Sequence, residues 1–185
     1  MTQSAFRNLS VVGVEDGSFQ KGVTSKALLT SVLFRNLCIE DVKITKITVD
    51  GLDATEKLTE ILNFWKFDVV FLAGISFAGF NVIDPMVIHE GFSKPVIIIT
   101  RTKPDNKSVK RALTKHFEDW KLRFEVFEKL SLPYETVVLS GRSLMYVKTV
   151  GASTKWACDL VQAFSILGKV PEPIRVARLI ARGLS

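Results

Sequence analysis

Two adjacent carboxylates, Glu15 and Asp16, stand before Gly17 where an apolar run, Leu9–Val14, gives out. An acid pair at a strand end can aim one carboxylate at a metal ion and the other at solvent. An acidic turn uses the same letters, because Asp-Gly is among the strongest turn dipeptides. Two basic clusters offer a complementary chemistry. Arg175, Arg178 and Arg182 recur three and four apart, so on a helix they make one guanidinium stripe opposite Ile174, Ala177, Ile180, Ala181 and Leu184. The planar guanidinium fork suits phosphate or carboxylate better than an ammonium does. A second helical stretch after Pro104 turns Val109, Ala112, Leu113 and Phe117 inward, and Lys103, Lys107, Lys110, Arg111 and Lys115 crowd its remaining faces. Phosphate-backbone contacts and a plain solvated surface both account for that cluster.

These groups need elements to hold them. Phe67–Asp84 reads FDVVFLAGISFAGFNVID, and its opening run Val69-Val70-Phe71-Leu72 shows no alternation. A strand of that kind is covered on both faces, as in the middle of a mostly parallel sheet. The small residues that follow, Ala73-Gly74 and Ala78-Gly79, let a ligand approach the backbone where open α/β sheets bind. A tight strand-to-helix connection without a ligand is the alternative. Pro95–Thr100, with Val96-Ile97-Ile98-Ile99, predicts a second doubly covered strand.

Upstream, Leu9–Val14, Val23–Phe34 and Cys38–Val49 predict an antiparallel meander, with a bulge near Thr45-Lys46 where the apolar phase slips by one residue. Asp53 and Glu56 fit a capping box opening a helix with Leu58, Ile61, Leu62 and Trp65 inward. Asp84-Pro85 fits an N-cap and first helical residue. Trp120–Leu130 suits helix and strand alike, and helix is preferred. Tyr134–Ser140 and Ser143–Val150 predict a hairpin around Gly141-Arg142. Helices are expected over Ser153–Leu167 and from Pro173 to Leu184.

Bulk composition excludes several classes. With 185 residues, 47% hydrophobic and 24% charged, the chain is expected to form one domain with a full core. No apolar run approaches the ~18–20 residues a membrane helix needs. MTQSAFRNLS has no apolar core of a secretory signal, and Cys38 and Cys158 lie far apart, so reduced thiols and a cytoplasmic location are expected. Two histidines exclude a histidine-rich zinc site. Neither a dinucleotide fingerprint nor a P-loop occurs. The net charge of +6 suits a polyanionic partner.

Three antiparallel strands, a helix, then parallel strands alternating with helices is the layout of the ribonuclease H-like fold. The segments IEDVKITKITVDGLDATEKL, FLAGISFAGFNVID and PEPIRVARLIARG resemble those of the archaeal domain-of-unknown-function family 99, which is similar in fold to endonuclease V. That resemblance spans nearly the whole chain. It implies a mixed α/β sheet, an antiparallel meander followed by parallel strands, with helices on both faces. It also implies a two-metal nuclease site, using magnesium or manganese, at Glu15 with Asp16 and at Asp53. A third acid is implied where this chain has Ala73, and alanine cannot ligate; Asp84 is the one nearby substitute. Two metal ions held close need several negative charges between them. The expectation is a nucleic-acid-binding protein, for DNA or RNA, with metal held weakly or not at all and catalysis lost or reduced. An active metal-dependent endonuclease using Glu15, Asp16 and Asp53, and a protein-interaction module with a basic surface, are the rival expectations. Lys107, Lys110, Arg111, Arg175, Arg178 and Arg182 are the expected nucleic-acid contacts.

Overall fold

The structure, a computed structural model, describes residues 6, 8–130, 134–139, 143–167 and 170–185. Its centre is a seven-stranded mixed sheet. The strands are β1 Val11–Asp16, β2 Lys26–Arg35, β3 Cys38–Thr48, β4 Val69–Leu72, β7 Val96–Thr100, β8 Glu135–Leu139 and β9 Ser143–Val150, in the order β3-β2-β1-β4-β7-β9-β8. β1, β4 and β7 run parallel, and the other neighbours pair antiparallel. A small second sheet pairs β5 Ser76–Phe77 with β6 Asn81–Val82.

Alternation of side chains across the strands feeds two cores. Val70 and Leu72 enter one, with Leu58 of helix α1 Ala54–Leu62, Ile88 of α2 Pro85–Phe92, Leu113 of α3 Asn106–His116, and Phe124 of α4 Trp120–Lys129. Val69 and Phe71 enter the other, with Leu160 of α5 Thr154–Ala163 and Ile174 of α6 Glu172–Gly183. All four residues of β4 are fully buried, as the unbroken apolar run requires. The ambiguous stretch from Trp120 is a helix, and it buries Phe124 and Phe127.

Three local features differ from expectation. β2 and β3 pair without interruption through Leu29↔Thr45 and Leu28↔Lys46, and the register shifts instead between Leu33 and Phe34, opposite Asp41 and Ile39. The apolar phase slips because this edge strand packs Val42 against one core and buries Ile47 in the other. Asp53 occupies the N-cap of α1 but makes no capping hydrogen bond with its side chain. The N–H of Ala54 donates instead to Asn81 Oδ1 at 2.9 Å. The β5–β6 hairpin has no counterpart in the sequence reading, because strands of two residues carry no periodicity. The expected hairpin turn at Gly141-Arg142 lies outside the described residues, and the strands flanking it pair antiparallel.

Candidate nucleic-acid interface

The packing of α6 on β1 begins at a glycine. A Cβ on Gly13 would overlap the backbone of Pro173, so only glycine lets the helix come this close. Two residues along a strand advance about 6.6 Å, and five along a helix about 7.5 Å. That match carries the chain from Gly13 to Glu15 and from Pro173 to Arg178 in step. Glu15 Oε2 accepts hydrogen bonds from Arg178 Nε at 2.9 Å and Nη2 at 2.5 Å. Glu15 is only 7% exposed, and burial pushes its carboxyl up to about 7. The charge and hydrogen bonds of Arg178 pull it down, and neighbouring Asp16 adds a smaller push upward. Asp16 turns to the β5–β6 hairpin, where its Oδ2 accepts the N–H of Ala78 at 2.6 Å.

Ala73 follows β4, and its N–H donates to Val14 O at 3.2 Å. Val14 pairs with Leu72 in parallel register, so Ala73 stands beside Glu15. With Thr100, Arg101, Thr102 and Arg178 it lines a cavity of about 240 Å³. A second cavity of about 410 Å³ opens beyond Gly74, lined by Ser76, Thr102, Asn106, Phe127 and Tyr134 among others. Burial pushes the Tyr134 hydroxyl up to about 12, so it stays protonated.

The other expected acids serve the scaffold. Asp53 accepts from the N–H of Thr48 at 3.1 Å, from Thr48 Oγ1 at 2.9 Å and from Asn81 Nδ2 at 2.5 Å. Burial alone would raise its carboxyl, but these hydrogen bonds outweigh it and hold the group below the usual range. Asp50, which is not among the expected site acids, accepts from the N–H of Phe80 at 2.8 Å and donates its own N–H to Ala78 O at 2.8 Å. Gly79 lies at φ 88°, and a Cβ there would overlap Asp50 Oδ1. Arg123, 6% exposed and also unforeseen, donates from Nη1 to Gly51 O at 2.9 Å and Phe80 O at 2.8 Å, while Nε and Nη2 hold Asp119. The VDGLD and FAGFN segments are thus fastened to each other. The only trace of Arg123 in the sequence is its four-residue spacing from Asp119. Asp84 caps α2, accepting from the N–H of Met86 at 2.9 Å.

The structure therefore brings Glu15 and Asp16 together and leaves Asp53 and Asp84 to other work. Among the described residues no group of three or more His, Cys, Asp or Glu side chains could hold a metal ion. This donor set does not fit a two-metal centre: Arg178 occupies Glu15, Asp53 accepts from three donors and Ala73 offers none.

Nor do the arginines of α6 act as one row. Arg175 pairs with Glu172 at 2.6 Å and Arg178 with Glu15, whereas Arg182 is exposed in the last turn. On α3, Lys107, Lys110 and Arg111 are exposed. Lys110 Nζ lies 5.0 Å from the ring centroid of Phe124 and 5.7 Å from that of Trp120, a cationic edge over aromatic faces.

The model of the family described as endonuclease dU matches residues 7–185. The chain belongs to that family. A UPF0215 protein of Thermococcus gammatolerans is 35% identical over 180 residues, covering 94% of this chain and 90% of the relative. The fold matches a solved protein of unknown function from Archaeoglobus fulgidus at a TM-score of 0.82, with 29% identity over 95% of this chain and 98% of the other. It also matches endonuclease V of Ciona intestinalis, solved with a 24mer DNA containing an inosine followed by a ribo-adenosine. That match has a TM-score of 0.64 and 12% identity over 98% of this chain and 93% of the other. The endonuclease V-like fold read from the sequence is the fold of this family member. No helix among the described residues is long and apolar enough to cross a membrane.

Proposed function

We propose that this chain, as one endonuclease V-like domain, binds nucleic acid across the carboxyl end of its sheet, and that divalent-metal-dependent cleavage there is lost or strongly reduced. The observation that carries the reading is the Arg178 fork on Glu15 beside Ala73. A guanidinium already neutralises the one buried carboxylate at this strand end, so a metal ion would meet a fixed positive charge where it needs several negative ones. Membership of a family described as endonuclease dU, and the DNA held by the Ciona protein, support a nucleic-acid ligand. Phosphates would meet Arg101, Arg178 and Arg182, with Lys107, Lys110 and Arg111 on the flank, and the 410 Å³ cavity has room for an unstacked base.

The test pairs binding with cleavage. Oligonucleotides containing deoxyuridine or inosine are titrated by fluorescence anisotropy at rising salt, in EDTA and in manganese. Contacts to ~3 phosphates give a log–log slope of roughly −2 to −3. Salt-steep binding in EDTA with no manganese-dependent cleavage is the expected result. Efficient cleavage in manganese would establish the active-endonuclease alternative, with Glu15, Asp16 and Asp53 as its acids, and salt-independent or absent binding would end the nucleic-acid reading.

A further inference from the structure

We infer that the 240 Å³ cavity at the end of β4 is a receptor for a single phosphate group and holds it without a divalent metal. This rests on the nucleic-acid reading and specifies which part of that ligand the cavity takes. Arg178 commits Nε and Nη2 to Glu15, and its Nη1 has no hydrogen-bond partner among the described residues. The guanidinium is thus held in place by a buried carboxylate while one nitrogen remains for a ligand. Pre-orientation of this kind lowers the entropy lost on binding. Arg101, exposed and unpaired among the described residues, lines the same cavity and supplies a second cation. Ala73 presents a methyl group, so no acid on that wall repels an incoming phosphate.

The basic pocket at the opposite end of the sheet lacks this arrangement. It has about 400 Å³ and is lined by Arg35, Trp65, Lys66 and Lys94. There Arg35 is bound to Glu40 at 2.5 Å and Lys94 faces Asp68 at 3.8 Å. An acid, Asp68, is itself part of that pocket's wall, whereas among the described residues no acid lines the Ala73 cavity.

The probe is inorganic phosphate, titrated calorimetrically into the full chain in excess EDTA at constant ionic strength, with chloride as the reference. Saturable binding is expected, weakened about tenfold by Arg101→Ala, the equivalent of one charge-assisted hydrogen bond. Arg178→Ala combined with Glu15→Gln, which avoids stranding a buried carboxylate, is expected to abolish it. Both variants are checked for a cooperative melt, and the exposed Arg101 site keeps the test decisive if the double variant fails to fold. Phosphate binding no better than chloride, binding that requires magnesium or manganese, or undiminished binding in Arg101→Ala would each overturn the inference. Salt-steep oligonucleotide binding that survives any of these results would leave the broader reading standing, whereas loss of both would remove it too.

Discussion

Asp50 and Asp53 on one side of the sheet's carboxyl end accept only from uncharged groups, the N–H of Phe80 and Thr48, the Thr48 hydroxyl and the Asn81 amide. Glu15, on the α6 side, accepts instead from a guanidinium that reaches it across 163 residues of sequence. The first arrangement joins two loops, whose carbonyls at Gly51 and Phe80 are held in turn by Arg123. The second places a charged pair next to a cavity. Acids that look alike in the chain therefore divide into fastenings and one acid held beside the proposed phosphate cavity, and substitutions should separate the two by what they disturb.

The largest effect is expected in the fastening. Arg123→Ala removes the donor shared by Gly51 O and Phe80 O and strips Asp119 of its partner. Leaving such groups unsatisfied costs roughly 3 kcal/mol, or about 6–12 °C in melting temperature for a chain of this size. Oligonucleotide affinity, measured well below the melt, should stay near that of the parent. A large loss of affinity with little loss of stability would show that the clamp belongs to the interface and would break the division.

How far this division could be read from the sequence depends on how local each cause is. The doubly buried β4 was legible because four apolar residues in a row leave no solvent face. The acid pair at the end of β1 was legible for the same kind of reason, an apolar run ending in charges. The capping box at Asp53 and Glu56 matched a real pattern, yet Thr48 and Asn81 draw the Asp53 side chain away from the helix. Asn81 lies 28 residues from Asp53, and spacing rules do not reach that far. Periodicity likewise put Arg175, Arg178 and Arg182 on one face without showing that two of them meet acids. Arg123 left almost no trace beyond its spacing from Asp119, because its distant partners are backbone carbonyls, which every residue has.

A smaller effect is expected from the charge on Glu15. In the unfolded chain this carboxyl titrates near 4.5, and burial in the folded protein pushes it up to about 7. The folded state therefore binds the proton more tightly, so the contribution of Glu15 to stability is greatest below 4.5 and declines as pH rises to about 7. At 1.36 kcal/mol per unit the decline is at most about 3 kcal/mol. Glu15→Gln removes this titration, so the difference in melting temperature between parent and variant should grow in favour of the variant from pH 5 to pH 8. A difference that shrinks over that range would mean that Arg178 stabilises the carboxylate more than burial opposes it.

The smallest effect tests the boundary between the two kinds of acid by adding one. Ala73 stands beside Glu15 and shares a cavity with Arg178, so Ala73→Asp places a new carboxylate within the field of a guanidinium. The new acid should pair with Arg178, and the single variant should then gain little from manganese. Ala73→Asp with Arg178→Ala is different, because two neighbouring carboxylates are left without their cation. Desolvation and mutual repulsion raise their pKa values and destabilise the metal-free fold. A hard divalent ion relieves that repulsion, and a ligand that binds only the folded state stabilises it by about 1.4 kcal/mol at ten times its Kd. Melting curves of the parent and both variants, with manganese and with EDTA, read this directly. Manganese stabilisation confined to the double variant would identify Arg178 as the group that keeps metal out. An equal response in the parent would show that the Arg178 fork yields to a metal ion and that this strand end can still become a metal site.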